Sequence, residues 1–503
     1  DVVSVGDTRI VVDVLPNRAD LLSHEGLARE IAAATGKKMA RPSHPPAVLT
    51  RASVETETPK IRVTVEDVAG APRYMTAIVR GVTIGPSPEW LSARIEAVGG
   101  RSVSNVVDVT NYMLHGFGQP MHAFDVGKIG GAQINVRRGR PGEKLVTLDG
   151  VERTLDDTMT VIADATSAQA IGGVIGGKGS EVTDATTDIL LEAAAFDPQR
   201  IRATRKKLGV STDASYRFER GVDASAIEEL LYYAAELVQR VAGGSLGGPA
   251  TDSYQKPEPS TPIRVRLARI TAILGEAIPE EASIAYLSSV GFEVEPEKDA
   301  LIVRPPSFRQ DVTGESEVIE EIARLHGYDQ FSSELRPYRP SSRSDAPMHT
   351  AATRVRNAVV AAGLLEARPM PFVREGIDAH RVRNPLAEDE AYLRTSLLDS
   401  LARRVEYNFA HMQRNVRLFE IGTVFTDATA ADSSAPAERT HAAAVVVGDR
   451  RPAHFTEPHP PKFDEWDAKE LGELIGRAAF PGASVECVPA EGYMLWNVAA
   501  NGT

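Results

Sequence analysis

Cysteine is almost missing from this sequence: Cys487 is the only one among 503 residues. One thiol excludes an internal disulfide and a thiolate zinc cluster. There is no run of about 18 apolar residues to span a bilayer, and no signal-peptide pattern at the start. A cytosolic protein without a membrane partner fits these absences. Positive charge is the minority sign, with 56 Lys and Arg against 69 Asp and Glu and a net charge of −13. Phosphate binding depends on Lys and Arg, so a surface that coats nucleic acid everywhere is excluded, while local basic patches are not. A phosphate-binding loop is missing as well, because Gly130, Gly131, Gly243 and Gly244 sit in turn contexts without a Lys-Ser/Thr partner. No Ser-His-Asp or Cys-His arrangement is legible, which argues against a covalent hydrolase.

What is present is the composition of folded globular protein, 42% hydrophobic and 25% charged. A single core stops growing at about 250–300 residues, so the chain is expected to hold roughly three or four domains. It begins at Asp1 without a methionine and stops just after YMLWNVAA, a strand-like run expected in mid-sheet, so a fragment of a longer chain is expected.

Residues 1–40 carry IVVDV and then NRADLLSHEGLAREIAAATGK, where Leu27, Ile31 and Ala34 fall at i, i+4 and i+7 between a Ser23 cap and a Gly36 stop. One packing helix is predicted. The Pro/Ser/Thr-rich 41–59, the Gly/Pro/Ser-rich 244–261 and the Pro/Ser/Arg-rich 333–348 read as connections. Between the first two, Ile61, Val63 and Val65 alternate with Arg62, Thr64 and Glu66, the pattern of a half-buried strand. The domain that starts there, over 60–250, closes on a helix in which Ser225 and Glu228 form a capping box. Ile227, Leu230, Leu231, Ala234, Val238 and Val241 make its apolar stripe up to Gly243. Over 261–332, IRVRLARITAILG, SIAYLSSVGFEVE and a segment ending in VIEEIARLHGYD predict strand and helix, helix and strand, then a final helix.

In that final helix Glu317, Glu320 and Glu321 recur at i, i+3 and i+4, opposite Val318, Ile322 and Leu325, with Asp311 just before it. Carboxylates on one face repel unless cations answer them, which points to a divalent ion or a basic partner. The plainer reading is a solvated acidic face.

The richest stretch runs from Leu190 to Asp223, LLEAAAFDPQRIRATRKKLGVSTDASYRFERGVD. A short apolar strand leads to Asp197 and Pro198, which start a helix by capping and by a pre-set φ. Arg200, Arg202, Arg205, Lys206 and Lys207 make that helix strongly basic before Gly209 ends it. By itself such a helix is a solvated face as readily as a functional one.

With GGVIGG at 172–177, SEVTDATTDILLEAAAFDP and STDASYRFERGVD, this stretch resembles the editing module of the beta subunit of bacterial phenylalanyl-tRNA synthetases. Further matches follow in the same order over almost the whole chain. The resemblance implies an α+β, multidomain fold. Its parts are the remainder of an N-terminal domain (1–40), a mixed α/β editing domain (60–250), a small helix-turn-helix-like domain (261–332) and an incomplete class II synthetase-like antiparallel-sheet domain (346–503). It also implies that a tRNA-binding module precedes Asp1. The implied partners are an alpha subunit, in an alpha2beta2 assembly, and tRNA(Phe). ATP is expected on the alpha subunit. The family pattern D-x5-(D/E)-x2-EE implies Mg2+ on Asp311, Glu317, Glu320 and Glu321 at the contact with that subunit, although Glu317 stands where Asp is usual.

The segment RSVSNVVDVTNYMLHGFGQPMHAFD at 101–125 resembles the other editing motif and brings Arg101, Thr110, Asn111 and His122. Asn111 is equally a helix cap, and His122 equally a structural histidine. Hydrolysis of an aminoacyl ester needs a positioned water and donors for the oxyanion. Gly173, Gly176 and Gly177 can present N–H groups, and His122, Thr110 and Asn111 can orient the water. Thr212 and Ala214 are expected to shape the floor, Ala214 leaving room for a ring. Glu192, ending an apolar run, is expected to accept from the tyrosine hydroxyl that phenylalanine lacks; pairing with Arg217 or Arg220, or capping a helix, is its structural alternative. Arg394 reads as a salt-bridge residue rather than a relic of an ATP site. Two other classes stay open, an architectural subunit with an idle editing centre and a DNA-binding protein. The acidic helix counts against the second, since base readers are rich in Arg, Lys, Asn or Gln.

Overall fold

The computed structural model describes residues 2–5, 10–40, 61–255, 261–333, 337–375, 379–426, 435–491 and 494–501. They form two compact units, Asp1–Glu334 and Leu335–Thr503. The first opens with the hairpin of β1 (Val2–Val5) and β2 (Ile10–Val12) and with helix α1 (His24–Thr35). Ser23 caps α1 by accepting from the Gly26 N–H, and Gly36 ends it. The predicted apolar stripe does not dock: Ile31 is 62% exposed and Ala34 is exposed too. The helix is held through Gly26, where a Cβ would meet the Asp20 carbonyl at 1.9 Å, and through ion pairs of Glu30 with Arg18 and Arg324. Close backbone approach and charge, which leave no trace in an apolar period, choose the buried face.

The next elements in chain order are β3 (Arg62–Val65), β4 (Arg73–Arg80), α2 (Glu89–Ala97), α3 (Asn105–Phe117), β5 (Met121–Asp125) and β6 (Gln133–Arg138). A small hairpin of β7 (Lys144–Val146) and β8 (Glu152–Thr154) precedes β9 (Thr160–Ala163), β10 (Ala168–Ile171), β11 (Ile175–Gly176) and β12 (Asp188–Ala195). Helices α4 (Pro198–Leu208), α5 (Asp213–Phe218) and α6 (Ile227–Ala242) lead to β13 (Ser245–Leu246) and β14 (Thr251–Tyr254). One sheet has the order β11-β10-β9-β6-β3 and the other β13-β4-β12-β5, with β14 also on β4. A single hydrophobic cluster takes residues from both sheets and from α2, α3 and α6. Strand β12 lies between β4 and β5 and is buried from Ile189 to Ala195, as its nearly unbroken apolar run requires.

Two local readings need correction. Helix α6 starts at Ile227 with no side-chain cap; the Ser225 N–H instead donates to Asp223, and Glu228 is drawn toward Arg73 at 3.6 Å. The stretch 244–261 is more than a connection, because β13 and β14 complete the edge of β4. The unpaired backbone of an edge strand recruits them, whatever their side chains.

Then come β15 (Ile263–Arg266), α7 (Leu267–Leu274), α8 (Glu280–Ser289), β16 (Glu293–Glu297), β17 (Ala300–Arg304) and α9 (Glu315–His326), in the predicted order. The strands form an antiparallel sheet β15-β17-β16 over a separate core that includes Val265, Leu287, Leu301 and Ile322. Gln310 donates to the Val222 carbonyl at 2.8 Å, Ser307 donates to Asp223 at 2.8 Å, and Arg29 lies 3.7 Å over the Phe308 ring. These contacts join the parts of the first unit.

The second unit contains α10 (Pro347–Ala361), β18 (Leu365–Glu366), β19 (Phe372–Val373), β20 (Tyr392–Leu393), α11 (Leu398–Ala410), β21 (Val416–Thr426), β22 (Ala437–Val447), α12 (Glu465–Ala479), β23 (Val485–Pro489) and β24 (Trp496–Ala500). Its central sheet is the antiparallel pair β21 and β22, which β18 joins in parallel. Among the described residues β24 pairs with β23 alone. Arg394 is buried and bound to Glu420 at 2.6 Å and to the Thr423 carbonyl at 2.9 Å, a salt-bridge residue as predicted. No helix among the described residues is long and apolar enough to cross a membrane. The caps offer a test by urea unfolding. Asp197→Ala, which removes the acceptor for the Arg200 N–H, should cost about 1 kcal/mol. Ser225→Ala should stay within about 0.5 kcal/mol, and equal losses would mean that Ser225 caps α6 after all.

Candidate functional site

Strand register builds the site. Glu192 on β12 stands opposite Thr76 on β4 and His122 on β5. Directly opposed residues share a sheet face, so the three form a polar row across apolar strands. Thr76 is occupied by Thr251 on β14, hydroxyl to hydroxyl at 2.6 Å. Tyr74, two residues earlier on the same face, donates its phenol to Glu192 Oε2 at 2.9 Å. Both side chains are buried. Burial pushes the Glu192 carboxyl up to about 7, against the opposing pull of the Tyr74 hydrogen bond. Burial, and then the charge of Glu192, pushes the Tyr74 phenol well above its ordinary range. Near neutral pH Glu192 is thus poised between acid and carboxylate, able to donate or to accept. Arg217 and Arg220, its alternative partners in the sequence, bond elsewhere: to the Leu22 carbonyl, and to the Tyr216 carbonyl and Glu219.

His122 Nε2 is buried without a hydrogen-bond partner. Burial alone pushes the imidazole down to about 4, so it is neutral at physiological pH. A glycine wall lies against it: a Cβ on Gly176 would come within 2.6 Å of Cε1 and 3.0 Å of Nε2. Gly173 adopts φ +67°, and a Cβ there would approach Ile201 at 2.7 Å, so at both positions only glycine lets the backbone come this close. Thr212 holds the wall from outside, its hydroxyl donating to the Val174 carbonyl at 2.8 Å while it also caps α5.

These elements line a pocket that opens to solvent. Ile162, Ile171, Val174, Ile175, Ala214 and Phe218 give it apolar walls, and Glu192 and His122 are the titratable side chains that line it. The structure therefore brings together His122, Glu192, Gly173, Gly176 and Ala214. It does not bring Arg101, Thr110, Asn111, Gly177 or Thr212 to the lining. Thr110 donates to the Val107 carbonyl of its own helix at 2.7 Å, Asn111 is half-buried on α3, and Arg101 is exposed. The Gly177 N–H is used by the Gln169 carbonyl. Tyr74 is the residue that sequence reasoning missed. In RYMTAIVR it is an ordinary strand aromatic, and only the pairing of β4 with β12 turns it toward Glu192.

The whole pocket falls within residues 70–243, which match the family model described as "B3/4 domain". Residues 263–328 match "tRNA synthetase B5 domain" and residues 333–495 match "Phenylalanyl tRNA synthetase beta chain CLM domain". The phenylalanine–tRNA ligase beta subunit of Geobacter sulfurreducens is 38% identical over 490 residues, 94% of this chain and 60% of that protein. The chain belongs to the phenylalanine–tRNA ligase beta-subunit family. The beta subunit of Rhodopirellula baltica is 39% identical over 88% of this chain and 66% of that protein. A solved N-terminal fragment of the phenylalanyl-tRNA synthetase beta subunit from Pyrococcus horikoshii is 18% identical. Its TM-score is 0.31, with 62% of this chain and 85% of that chain covered. This member of the family thus spans about three-fifths of the length of curated beta subunits such as that of Geobacter sulfurreducens.

Of the four carboxylates expected to hold Mg2+, Asp311 and Glu321 are answered by arginines. Arg309 grips Asp311 with two hydrogen bonds of 2.8 and 2.9 Å and reaches Glu321 at 2.8 Å. Arg324 joins Glu321 at 2.7 Å and Glu30 at 2.6 Å. Burial opposes ionisation of Glu321, yet these two guanidinium groups hold its carboxyl down at about 2. Glu320 is exposed, and Glu317 Oε2 is buried without a partner. Among the described residues no group of three or more His, Cys, Asp or Glu is placed to hold a metal ion; Asp311 and Glu321 are taken by arginines, while Glu317 and Glu320 are not. The repulsion foreseen from helical spacing is real, but the chain supplies its own cations.

Two measurements follow. Glu321→Gln leaves Arg309 and Arg324 short of a buried anion and should cost about 3 kcal/mol in denaturant unfolding. Glu320→Gln should cost less than about 0.5 kcal/mol, and chelator should change neither value; a chelator-sensitive midpoint would restore the metal. Glu192 binds its proton more tightly folded than unfolded, about 7 against an ordinary 4.5. Stability is therefore intact below about 4.5 and is lost as pH rises through about 7. At about 1.4 kcal/mol per tenfold change in proton affinity, the loss is roughly 3 kcal/mol. Glu192→Gln should remove that loss, so the difference between variant and parent should grow in the variant's favour from pH ~5 to ~8. A pH-independent difference would show that the carboxyl is not buried this way.

Proposed function

We propose that this chain is the editing and scaffolding part of a phenylalanyl-tRNA synthetase beta subunit, and that its pocket hydrolyses the ester of tyrosine mistakenly attached to tRNA(Phe). The observation that carries the reading is the buried Glu192. Tyr74 occupies Oε2, while Oε1 has no hydrogen-bond partner among the described residues and the carboxyl lines an apolar pocket. A tyrosine ring lying beside Ala214 and Phe218 would donate its hydroxyl to Oε1. Phenylalanine would fill the same walls and leave that oxygen unpaired, the asymmetry by which a polar group discriminates better than apolar contact can.

The neutral imidazole of His122 holds a water or the ester through its unpartnered Nε2. Water then attacks the ester carbonyl, the bond to the ribose oxygen breaks, and free tyrosine and tRNA leave. Positioning supplies the rate enhancement, since no Ser, Thr, Cys or Lys side chain lines the pocket. Synthesis belongs to the assembly with an alpha subunit, as alpha2beta2, with ATP and Mg2+ on that subunit. Arg394, locked to Glu420, is not free to serve a nucleotide in this chain.

Deacylation of tyrosyl- and phenylalanyl-tRNA(Phe) by the chain combined with an alpha subunit tests the reading. Glu192→Ala should slow release of tyrosine by about 10- to 100-fold, the worth of a hydrogen bond to a charged group, while hardly changing attack on the phenylalanyl ester. His122→Ala should slow both. Ala214→Trp should abolish hydrolysis by filling the pocket and leave phenylalanine charging intact. Full preference for the tyrosyl ester in Glu192→Ala would mean that Glu192 serves only to hold Tyr74, and would favour an architectural subunit.

A further inference from the structure

The pocket does not use the basic helix α4, whose five cations divide by partner. Arg200 is paired with Asp67 at 2.7 Å and Lys207 with Asp156 at 2.5 Å, contacts that fasten the helix to its domain. Arg202 and Lys206, one helical turn apart, are exposed and have no ion-pair or hydrogen-bond partner among the described residues. Between these extremes, Arg205 reaches Glu219 and donates to Ser211 Oγ at 2.8 Å. Arg220, with its guanidinium 3.5 Å from the Tyr216 ring centre, donates to the same Glu219 at 2.7 Å.

These four cations and one carboxylate line an open cleft that also includes Ser211. Like charges at i and i+4 destabilise a helix slightly, so Arg202 and Lys206 do not serve the fold. Their concentration on a chain of net charge −13 marks a place where an anion is met. Cleft and pocket share one stretch of backbone: Ser211 lines the first, Ala214 lines the second, and Thr212 between them is pinned to Val174. Three residues of chain span at most about 11 Å, a distance that the last few nucleotides of a strand bridge.

We infer that this cleft binds the phosphodiester backbone of the RNA whose aminoacylated end enters the pocket, with Arg202 and Lys206 on phosphates. The inference rests on the hydrolytic reading of the pocket. Phosphate contacts position a strand without reading its sequence, so their loss acts on binding and not on the chemical step.

The test compares Arg202→Gln/Lys206→Gln with Lys37→Gln/Lys38→Gln, an equal loss of charge at exposed lysines elsewhere in the same unit. Binding of uncharged tRNA to the 503-residue chain is followed by fluorescence anisotropy from about 50 to 200 mM salt. Two lost phosphate contacts should weaken binding about tenfold at the lowest salt and flatten the slope of log K against log salt by about 1.4 to 1.8. The lysine control should keep the parent slope. Equal slopes in the two double variants, or no measurable binding by the parent chain, would overturn the inference. With the alpha subunit present, the cleft variant should raise KM for tyrosyl-tRNA at unchanged kcat. It should hydrolyse 3′-O-tyrosyl adenosine, which has no phosphate, as the parent does. If the parent hydrolyses neither substrate, the reading of the pocket falls, and the salt slope still decides the cleft.

Discussion

A carboxylate in the middle of a buried strand must find a donor, and the bond from Tyr74 to Glu192 is the contact around which the first unit is arranged. It sets the register of β4 against β12, because a slip of one residue would send the phenol to the opposite face of the sheet. It also depends on β4 being a well-braced strand. Arg73, one residue before the phenol, is held by Asp252 at 2.8 Å and lies 4.3 Å over the Tyr254 ring, both on β14. The segment that looked like a connection therefore fixes the strand that fixes the site.

The two titratable groups of the pocket are moved in opposite directions by the same cause. Burial raises the acid and lowers the base, so each spends much of its time uncharged near neutral pH. That lessens the cost of keeping them inside an apolar cavity. It also leaves hydrogen-bond capacity unspent on protein, as the proposed site for an uncharged ester and a phenol requires. The glycine wall serves the same end by bringing backbone, rather than another side chain, against His122.

What could be read from the sequence was local. The caps Ser23 and Asp197, the stops Gly36 and Gly209, and the apolar stripe of α6 follow from neighbours a few residues apart, and the fold shows them. The docked face of α1, the strands β13 and β14, and the start of α6 depend on partners far along the chain, and none of these was legible. The site divides in the same way. Motifs pointed to His122, Glu192, Gly173, Gly176 and Ala214, which meet in the pocket. Tyr74 has no signature, because its role exists only once two strands lie side by side. The carboxylates of α9 were rightly seen as a charge problem. Their solution was hidden because Arg309 and Arg324 look like ordinary surface arginines until the helix is folded.

That arginine lattice also determines how the chain can be divided. Glu30 in the middle of α1 is shared by Arg18 and by Arg324 on α9, so this helix neutralises a residue almost three hundred positions away. Excising the helix-turn-helix-like domain at its composition boundaries would leave Arg324 with half its anions, and trimming the first forty residues would do the same from the other side. A piece that keeps these ion pairs together has to run from Arg18 to Arg324, nearly the whole first unit.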